Sequence, residues 1–262
     1  MKCPICNNES DNDICLVCGY DLENDMLYHK SINQLSQQEI DKHNKQIEIL
    51  KQNYNKPKHN HILDSLDIES LEAFGEEYYR HRDYQTSAIY YNEAMLRGSV
   101  EAAVHMGVIY ENGKGVKKDY HKAKECYEIG AEDFDSLAIY KLGTFYQEGY
   151  GVEVDYTKAR KLYIEAADLG ESSAMVALGR MYELGLGVDV NYIKAKRWYN
   201  EAIDFDDDEA MIYLSKLYEE GKGCHQNIEK AMDYLEKAIE RGFFIGLDNI
   251  DKLEKYKNSK EE

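Results

Sequence analysis

Proline is nearly absent from the sequence, and no apolar segment is long enough to cross a bilayer. The 262 residues include two prolines and 18 glycines, a composition that fits a mostly helical protein. The longest apolar run, near residues 242–247, is far shorter than a membrane span requires. Met1 leads into a cysteine cluster rather than into the apolar core of a signal peptide. We therefore expect a cytoplasmic protein.

Basic residues are scarce. The chain has 32 Lys and Arg against 50 Asp and Glu, a formal net charge of −18. This argues against nucleic acid as the main partner, because phosphate binding needs clustered Lys and Arg. It argues equally against an anionic membrane surface. Residues 1–60 hold seven lysines and nine acidic residues, so most of the charge lies in the remainder. Two interpretations stay open, a solvated acidic surface or an acidic groove for a basic protein partner.

Catalytic patterns are missing too. The sequence contains no Ser-His-Asp or Cys-His arrangement and no phosphate-binding glycine loop. His59-Asn60-His61 spells a nuclease motif, but that motif needs its residues far apart on a strand and a helix. We assign no catalytic residue and predict that the protein is not an enzyme.

What the sequence does contain is a 36-residue period. Its clearest mark is a pair of glycines that recurs four times without insertion or deletion, and a tyrosine precedes each pair by three residues. Such a period is typical of a solenoid, in which each unit buries its apolar face against its neighbours. The glycine pairs are Gly113/Gly115, Gly149/Gly151, Gly185/Gly187 and Gly221/Gly223.

Each repeat is predicted to form two helices. In the third copy, apolar residues recur at helical spacing before Gly149, which breaks the helix. Asp155 is placed to cap the second helix. Gly143 lies in mid-helix, where glycine costs about 1 kcal/mol relative to alanine. We therefore expect a neighbouring backbone to come close at Gly143.

A shorter copy precedes these four. Gly75 and Gly107 are 32 residues apart, whereas Ser87 and Ala123 are 36 apart. The first copy is therefore predicted to lack four residues of the loop between its helices, including the glycine pair.

The pattern Ala-x3-Leu-Gly-x2-Tyr-x2-Gly-x-Gly-Val-x2-Asp-Tyr-x-Lys-Ala-x3-Tyr, complete at residues 138–163, resembles the Sel-one-like repeat of the tetratricopeptide-related family. The resemblance covers about residues 66–242. It implies an all-α fold, a right-handed α/α solenoid of about five repeats. We accordingly divide the chain into residues 1–22, 23–62 and 63–262.

The first division, 1–22, holds four cysteines with the spacing C-x2-C-x8-C-x2-C, namely Cys3, Cys6, Cys15 and Cys18. Two such pairs can complete the tetrahedral coordination of one structural Zn²⁺. The segment resembles a short zinc ribbon. The alternatives are two disulfides or a redox pair, and a reducing cytosol weighs against disulfides. Four cysteine ligands leave no position for a catalytic water.

The second division, 23–62, is predicted to be a helical linker. Its apolar positions Ile40, Ile47, Leu50 and Tyr54 fit a short coiled-coil seam only weakly. A solvated helix on the first repeat is the preferred interpretation, and weak self-association through this helix is the alternative. Pro57 marks the boundary.

The carboxyl-terminal end is predicted to form a capping helix at about residues 244–257, because terminal repeats need a polar outer face. The acidic run Asp206–Glu209 suggests a metal loop at first sight. Acidic residues recur just before the corresponding helices, so capping of a helix amino terminus is the better interpretation.

In tetratricopeptide-like arrays the first helix of each unit lines a concave groove, so the resemblance implies where a partner protein binds. The predicted groove contains a row of acidic residues, with Tyr140 and Val176 as apolar patches beside it. The predicted groove residues are Glu111, Tyr140, Thr144, Gln147, Glu148, Val176, Arg180, Glu183, Lys216, Glu219 and Glu220.

These features together predict a cytoplasmic adaptor that binds another protein. The alternative is an inhibitor, such as an immunity protein that occludes a basic toxin or enzyme. A third class, hydrolase, rests on secreted cysteine-rich relatives reported to bind penicillin-like compounds. Those relatives carry a cysteine pair in every repeat, whereas this chain has only Cys126 and Cys224 within its repeats.

Overall fold

The structure is a computed structural model, and it describes residues 20–21, 26–27, 63 and 66–242. Two short antiparallel strands, β1 (Tyr20–Asp21) and β2 (Met26–Leu27), pair near the amino terminus. Met26 and Leu27 are thus extended, although they belong to the range for which a helical linker was predicted. The four cysteines of the predicted zinc ribbon, the rest of the linker up to residue 62, and the predicted capping helix at 244–257 lie outside the described residues.

Residues 66–242 form ten helices, each of 13 residues, joined by short loops. They are α1 (Ile68–Arg80), α2 (Tyr84–Leu96), α3 (Val100–Asn112), α4 (Tyr120–Glu132), α5 (Ser136–Glu148), α6 (Tyr156–Asp168), α7 (Ser172–Leu184), α8 (Tyr192–Asp204), α9 (Asp208–Glu220) and α10 (Ile228–Glu240).

The helices follow the 36-residue period, which confirms two helices per copy. The loop between α1 and α2 covers residues 81–83, whereas that between α3 and α4 covers 113–119. The prediction that the first copy lacks four loop residues is therefore confirmed.

Helix amino termini are capped by side chains, as the sequence indicated. The Asp155 carboxylate accepts a hydrogen bond from Lys158 N at 2.9 Å at the start of α6. In the acidic run before α9, Asp207 accepts from Ala210 N at 3.1 Å. Each cap satisfies a backbone N–H that the helix cannot pair internally. The acidic run thus begins a helix, as predicted.

The two glycines of each pair have different tasks. Gly185 ends α7 with φ = 73°, in the left-handed conformation that favours glycine. Gly223, the second of its pair, lies against the first turn of α8, where an added Cβ would be 2.6 Å from the carbonyl carbon of Tyr192. The first glycine of a pair therefore ends the first helix, and the second allows the loop to pack against the preceding copy.

The described chain divides into two compact units, one ending at Asp133 and one beginning at Phe134. In the first unit, Leu63 and Leu66 join a core built from α1, α2, α3 and α4. Arg97 holds Leu63 and Leu66 in place. Its guanidinium donates hydrogen bonds to the carbonyls of Leu66 and Leu63, at 2.5 and 2.6 Å. The first repeat thus has a fixed amino-terminal edge.

In the second unit, α5–α6, α7–α8 and α9–α10 each pack as a pair, and α6 packs on α7 as α8 packs on α9. Phe145, Leu178 and Met181 are fully buried between these helices. Each buried side chain of this size contributes about 1.5–3 kcal/mol of transfer free energy. The core therefore runs along the inner faces of successive pairs.

A tyrosine ring occupies the space beside each glycine within a first helix. A Cβ added to Gly143 would be 2.6 Å from Cε1 of Tyr163, a fully buried residue of α6. The expectation that a neighbouring backbone comes close at Gly143 is therefore wrong, because the close neighbour is the Tyr163 side chain. In the fifth copy Ser215 replaces the glycine and Leu235 the tyrosine. The equivalent pairs are Gly75 with Tyr91, Gly107 with Tyr127, and Gly179 with Tyr199.

Candidate protein-binding face

The predicted groove residues lie on the first helices of the repeats. Glu111 is on α3 of the first unit. The others belong to the second unit, and we call the part of α5, α7 and α9 that carries them its outward face. They are Tyr140, Thr144, Gln147 and Glu148 on α5, Val176, Arg180 and Glu183 on α7, and Lys216, Glu219 and Glu220 on α9.

Two of the predicted carboxylates are held by tyrosines of their own repeat. The Tyr127 hydroxyl donates to Glu111 at 2.6 Å, and the Tyr199 hydroxyl donates to Glu183 at 2.6 Å. Both tyrosines are fully buried. Burial, followed by the hydrogen bond to the carboxylate, raises the pKa of Tyr127 and of Tyr199 well above the ordinary value. Glu111 and Glu183 therefore help to join the two helices of a repeat.

The third copy replaces this carboxylate by Gln147. The Tyr163 hydroxyl there donates to Thr144 Oγ1 at the longer distance of 3.4 Å. Gln147 instead donates to the exposed Glu148 carboxylate at 2.7 Å. Glu148 is therefore exposed at the surface, near the buried Tyr163 that bonds Thr144.

The outward face also carries cations. Arg180 and Lys216 are exposed at equivalent positions of α7 and α9. The Arg180 guanidinium lies 5.5 Å from the ring centroid of Tyr213, within the range of a cation–π interaction. Glu220 pairs with Lys222 at 2.6 Å. The face therefore carries both signs of charge.

The two predicted apolar patches differ in accessibility. Val176 is 5% exposed and belongs to the core. Tyr140 is half-buried and its ring packs against Tyr163, with 5.8 Å between the ring centroids. Val176 therefore offers little surface to a partner, and Tyr140 offers one edge.

Sequence reasoning missed the role of the lysine in the repeat motif. The repeat tyrosine is the one that precedes the glycine pair by three residues. In each of the four full copies the motif lysine lies over the ring of this tyrosine. The constant spacing of the two residues was the available signal. The pairs and the distances from Nζ to the ring centroid are Lys122 with Tyr110 at 5.3 Å, Lys158 with Tyr146 at 4.0 Å, Lys194 with Tyr182 at 5.0 Å and Lys230 with Tyr218 at 5.5 Å.

Two cavities lie in the second unit. The first, of about 540 Å³, lies beside Trp198 and is also lined by Lys194, Arg197, Asp168 and Glu201. The second, of about 750 Å³, is formed by α9, the loop after it and α10. Neither lining pairs a nucleophile with a histidine. Among the residues that the structure describes, no group of three or more His, Cys, Asp or Glu is placed to hold a metal ion.

The two cysteines within the repeats are not joined to each other. Cys126 is buried and lies 3.8 Å from the Met95 sulfur, whereas Cys224 is half-buried, and both are free thiols. Burial raises the pKa of the Cys126 thiol to about 11. This thiol is therefore protonated at neutral pH and is a poor nucleophile.

Within residues 66–242, every helix is too short and too polar to be a transmembrane span.

Comparison with known proteins identifies the repeat. Residues 100–133, 136–171, 172–204 and 208–243 match the sequence model of the Sel1 repeat, and together they make up more than half of the chain. The first copy, α1–α2, lies before these matches.

Solved structures share the fold. A Sel1 repeat protein from Oxalobacter formigenes aligns with a TM-score of 0.62 and 27% identity, over 75% of this chain and 84% of that one. The antigen c5321 from uropathogenic Escherichia coli, which displays an SLR fold, aligns with a TM-score of 0.60 and 27% identity. That alignment covers 75% of this chain and 45% of the antigen.

A curated relative shares a shorter stretch. The ERAD-associated E3 ubiquitin-protein ligase component HRD3 of Candida glabrata is 37% identical over 54 residues, which make up 21% of this chain and 6% of HRD3. The match therefore spans a small part of that relative. With its four matched repeats and its ten described helices, the chain belongs to the Sel1 repeat family and has an all-helical repeat fold.

Proposed function

We propose that this protein is a non-enzymatic scaffold and that a partner protein binds the outward face of its second unit. The observation that carries the proposal is the exposure of Glu148 and Arg180 on first helices whose inner sides are fixed by buried tyrosines. Such a face presents charged side chains from a rigid support, which lowers the entropic cost of binding. Membership of the Sel1 repeat family supports a role in protein–protein interaction.

We further propose that the partner's surface is predominantly basic. The net charge of −18 lies mostly outside residues 1–60, and this field accelerates the encounter with a cationic protein. Arg180 adds one positive position to the face and favours an acidic residue at the matching place on the partner. Binding is expected to weaken as salt rises, because exposed charges are screened within about 8 Å at physiological ionic strength.

The test is a pair of full-length variants with the same change in charge. The first, Glu148→Lys with Glu183→Gln, alters the outward face and leaves an acceptor for the Tyr199 hydroxyl. The second, Glu165→Lys with Asp204→Asn, alters exposed residues of α6 and α8. Reversal of Glu183 to lysine is avoided because it would remove the acceptor of a buried tyrosine and destabilise the repeat.

We expect both variants to fold as the wild type does. In affinity purification followed by mass spectrometry, a partner recovered with the wild type and with the second variant should be lost at least tenfold with the first. Equal recovery by both variants would place the contact elsewhere. An assay of the partner's own activity in the complex then separates an adaptor from an inhibitor.

We also propose that Cys3, Cys6, Cys15 and Cys18 bind one structural Zn²⁺ per chain in a reducing compartment such as the cytoplasm. The four cysteines have the spacing of a tetrahedral thiolate site. A segment of about 20 residues cannot bury enough surface to fold without such a ligand.

Elemental analysis of freshly purified protein should find one zinc per chain. Replacement of Cys3 and Cys6 by serine should abolish it, whereas serine at Cys126 and Cys224 should leave it in place. Chelation should leave the helical signal of the repeats within about a tenth of its starting value. Absence of zinc from the wild type, or melting of the helices by the chelator, would contradict the proposal.

A further inference from the structure

Helices α6 and α8 lie side by side in the second unit. The cavity of about 540 Å³ is lined by Asp168 of α6 and by Trp198 of α8. The Phe205 ring, just after α8, also lies close to the end of α6, since a Cβ added to Gly170 would be 3.2 Å from it. The exposed residues of α6 and α8 therefore belong to one surface, which we call the second-helix face.

The exposed charges of the second-helix face sum to zero, although the chain as a whole carries −18. In each helix two basic residues come first and two acidic residues follow, whereas the helix dipole favours the reverse order. The stability of the single helices therefore does not explain this arrangement. On α6 the exposed charged residues are Lys158, Lys161, Glu165 and Asp168. On α8 they are Lys194, Arg197, Glu201 and Asp204.

The four inner charges of this face have no partner among the residues that the structure describes. Lys161 and Glu165 are about one helical turn apart, as are Arg197 and Glu201, yet none of these side chains makes an ion pair or a hydrogen bond with a described residue. A base that precedes its acid by four residues is the less favourable orientation for an ion pair within a helix. These charges are therefore available to a partner outside the chain.

We propose that the second-helix face binds the same face of a second copy of this chain, across a two-fold axis between α6 and α8. Such an axis places α6 antiparallel to α8 of the second copy, so each step forward along one helix is a step back along the other. When Lys161 faces Glu201 of the second copy, Glu165 faces Arg197. The two-fold axis repeats both pairs, so all four inner charges of each copy face an opposite charge.

Apolar side chains meet in the same register. Ile164, which is 37% exposed, faces the half-buried Trp198 of the second copy. Leu169, which is 46% exposed, faces Ile193, which is 72% exposed. Contact removes these apolar side chains from water and so stabilises the pair. The outer charges agree as well, since Lys158 faces Asp204 and Asp168 faces Lys194.

Other positions of the axis bring like charges together. With the axis through α8, Lys237 of α10 would face Lys161, and with the axis between α8 and α10 it would face Arg197. Asp233 would face Glu165 or Glu201 in the same two arrangements. Like charges that face each other disfavour a contact, so the pattern selects the axis between α6 and α8.

The contact is expected to be weak. Six positions on each of the two helices take part, fewer than the roughly 20–30 residues a side of a standard interface. We therefore expect a dissociation constant on the order of tens of micromolar. Partner recovery by affinity purification takes place far below this concentration and does not require the dimer. The inference goes beyond the proposed function, and either one can fail without the other.

Exchange of charge tests the two-fold contact in the full-length protein. Lys161→Glu with Arg197→Glu makes all four inner charges acidic, and Glu165→Lys with Glu201→Lys makes all four basic. Sedimentation velocity is recorded up to about 500 µM in about 0.15 M salt, where the general repulsion between acidic chains is screened beyond about 8 Å. We expect wild type to dimerise, each variant alone to remain monomeric, and an equimolar mixture of the two to form heterodimers.

A matched control separates this contact from the effect of net charge. Glu153→Lys with Asp189→Lys makes the same change in charge as the second variant, at exposed loop residues. This control should dimerise as wild type does, and it should form at least tenfold less heterodimer with the acidic variant than the basic variant forms. A monomeric wild type, dimers that persist in either single variant, or a mixture that stays monomeric would overturn the proposal.

Discussion

Gly143→Ser is expected to destabilise the second unit by about 1–3 kcal/mol, the usual cost of forcing extra volume into a packed core. The added Cβ would be 2.6 Å from the Tyr163 ring, a separation that atoms of a folded protein do not sustain. Serine has a better helix propensity than glycine by a few tenths of a kcal/mol, which is too small to offset the clash. Urea unfolding followed by circular dichroism measures the change.

A double-mutant cycle separates the clash from other effects. The fifth copy already combines Ser215 with Leu235, so adding Tyr163→Leu to Gly143→Ser should recover most of the loss. As a control, Ser215→Ala should change the free energy of unfolding by less than about 0.5 kcal/mol, since a leucine takes the place of the tyrosine in that copy. If Gly143→Ser costs as much in the Tyr163→Leu background as in the wild type, the ring is not the cause.

The folded protein is expected to lose its stability steeply above pH 10. Burial raises the pKa of Tyr127 and of Tyr199 above the ordinary value, with the hydrogen bond to Glu111 or Glu183 acting in the same direction. Burial likewise raises the pKa of Tyr78, Tyr91 and Tyr163. In the unfolded chain these tyrosines ionise near a pKa of about 10.

The sign of this pH dependence follows from the number of protons that the folded and unfolded states bind. Below pH 10 both states hold the tyrosine protons, and stability is fully present. Above pH 10 the unfolded chain releases protons that the folded chain retains, so unfolding is favoured by about 1.4 kcal/mol per pH unit for each buried tyrosine. With five such tyrosines, the loss between pH 10 and 12 becomes comparable with the usual stability of a domain, about 5–15 kcal/mol.

This prediction is checked by an alkaline titration. The titration records tyrosinate absorbance at 295 nm together with helical circular dichroism at 222 nm. The late phase of ionisation should coincide with loss of helix. Tyr199→Phe should make the pH dependence shallower by about one proton. Ionisation of all tyrosines with the helices intact would contradict the assignment of buried hydroxyls.

The helix order and much of the local structure could be predicted from the sequence because they depend on contacts near in the chain. The glycine pairs marked the ends of α3, α5, α7 and α9, and Asp155 and Asp207 marked the starts of α6 and α9. The difference between the 32- and 36-residue spacings located the short first loop. Each of these features involves residues within one turn or one period, where spacing alone carries the information.

The details of the outward face could not be predicted in the same way. Whether Glu111 and Glu183 point to a partner or to a tyrosine depends on how the two helices of a repeat are rotated about their axes. The hydroxyl and the carboxylate are 16 residues apart, and spacing does not specify that rotation. The joint replacement of glycine and tyrosine in the fifth copy was a signal that linked these facing positions.

The seating of each loop on the preceding copy has a consequence for building longer arrays of this repeat. Gly223 rests on the first turn of α8, and Gly115 rests in the same way on the first turn of α2. The three-residue loop of the first copy has no glycine pair to make this contact, and in residues 66–242 no helix precedes α1 for it to rest on. A duplicated copy can therefore be inserted after any copy whose second helix is available to the complete seven-residue loop of the copy that follows. The short copy lacks this contact and is therefore suited to the start of an array.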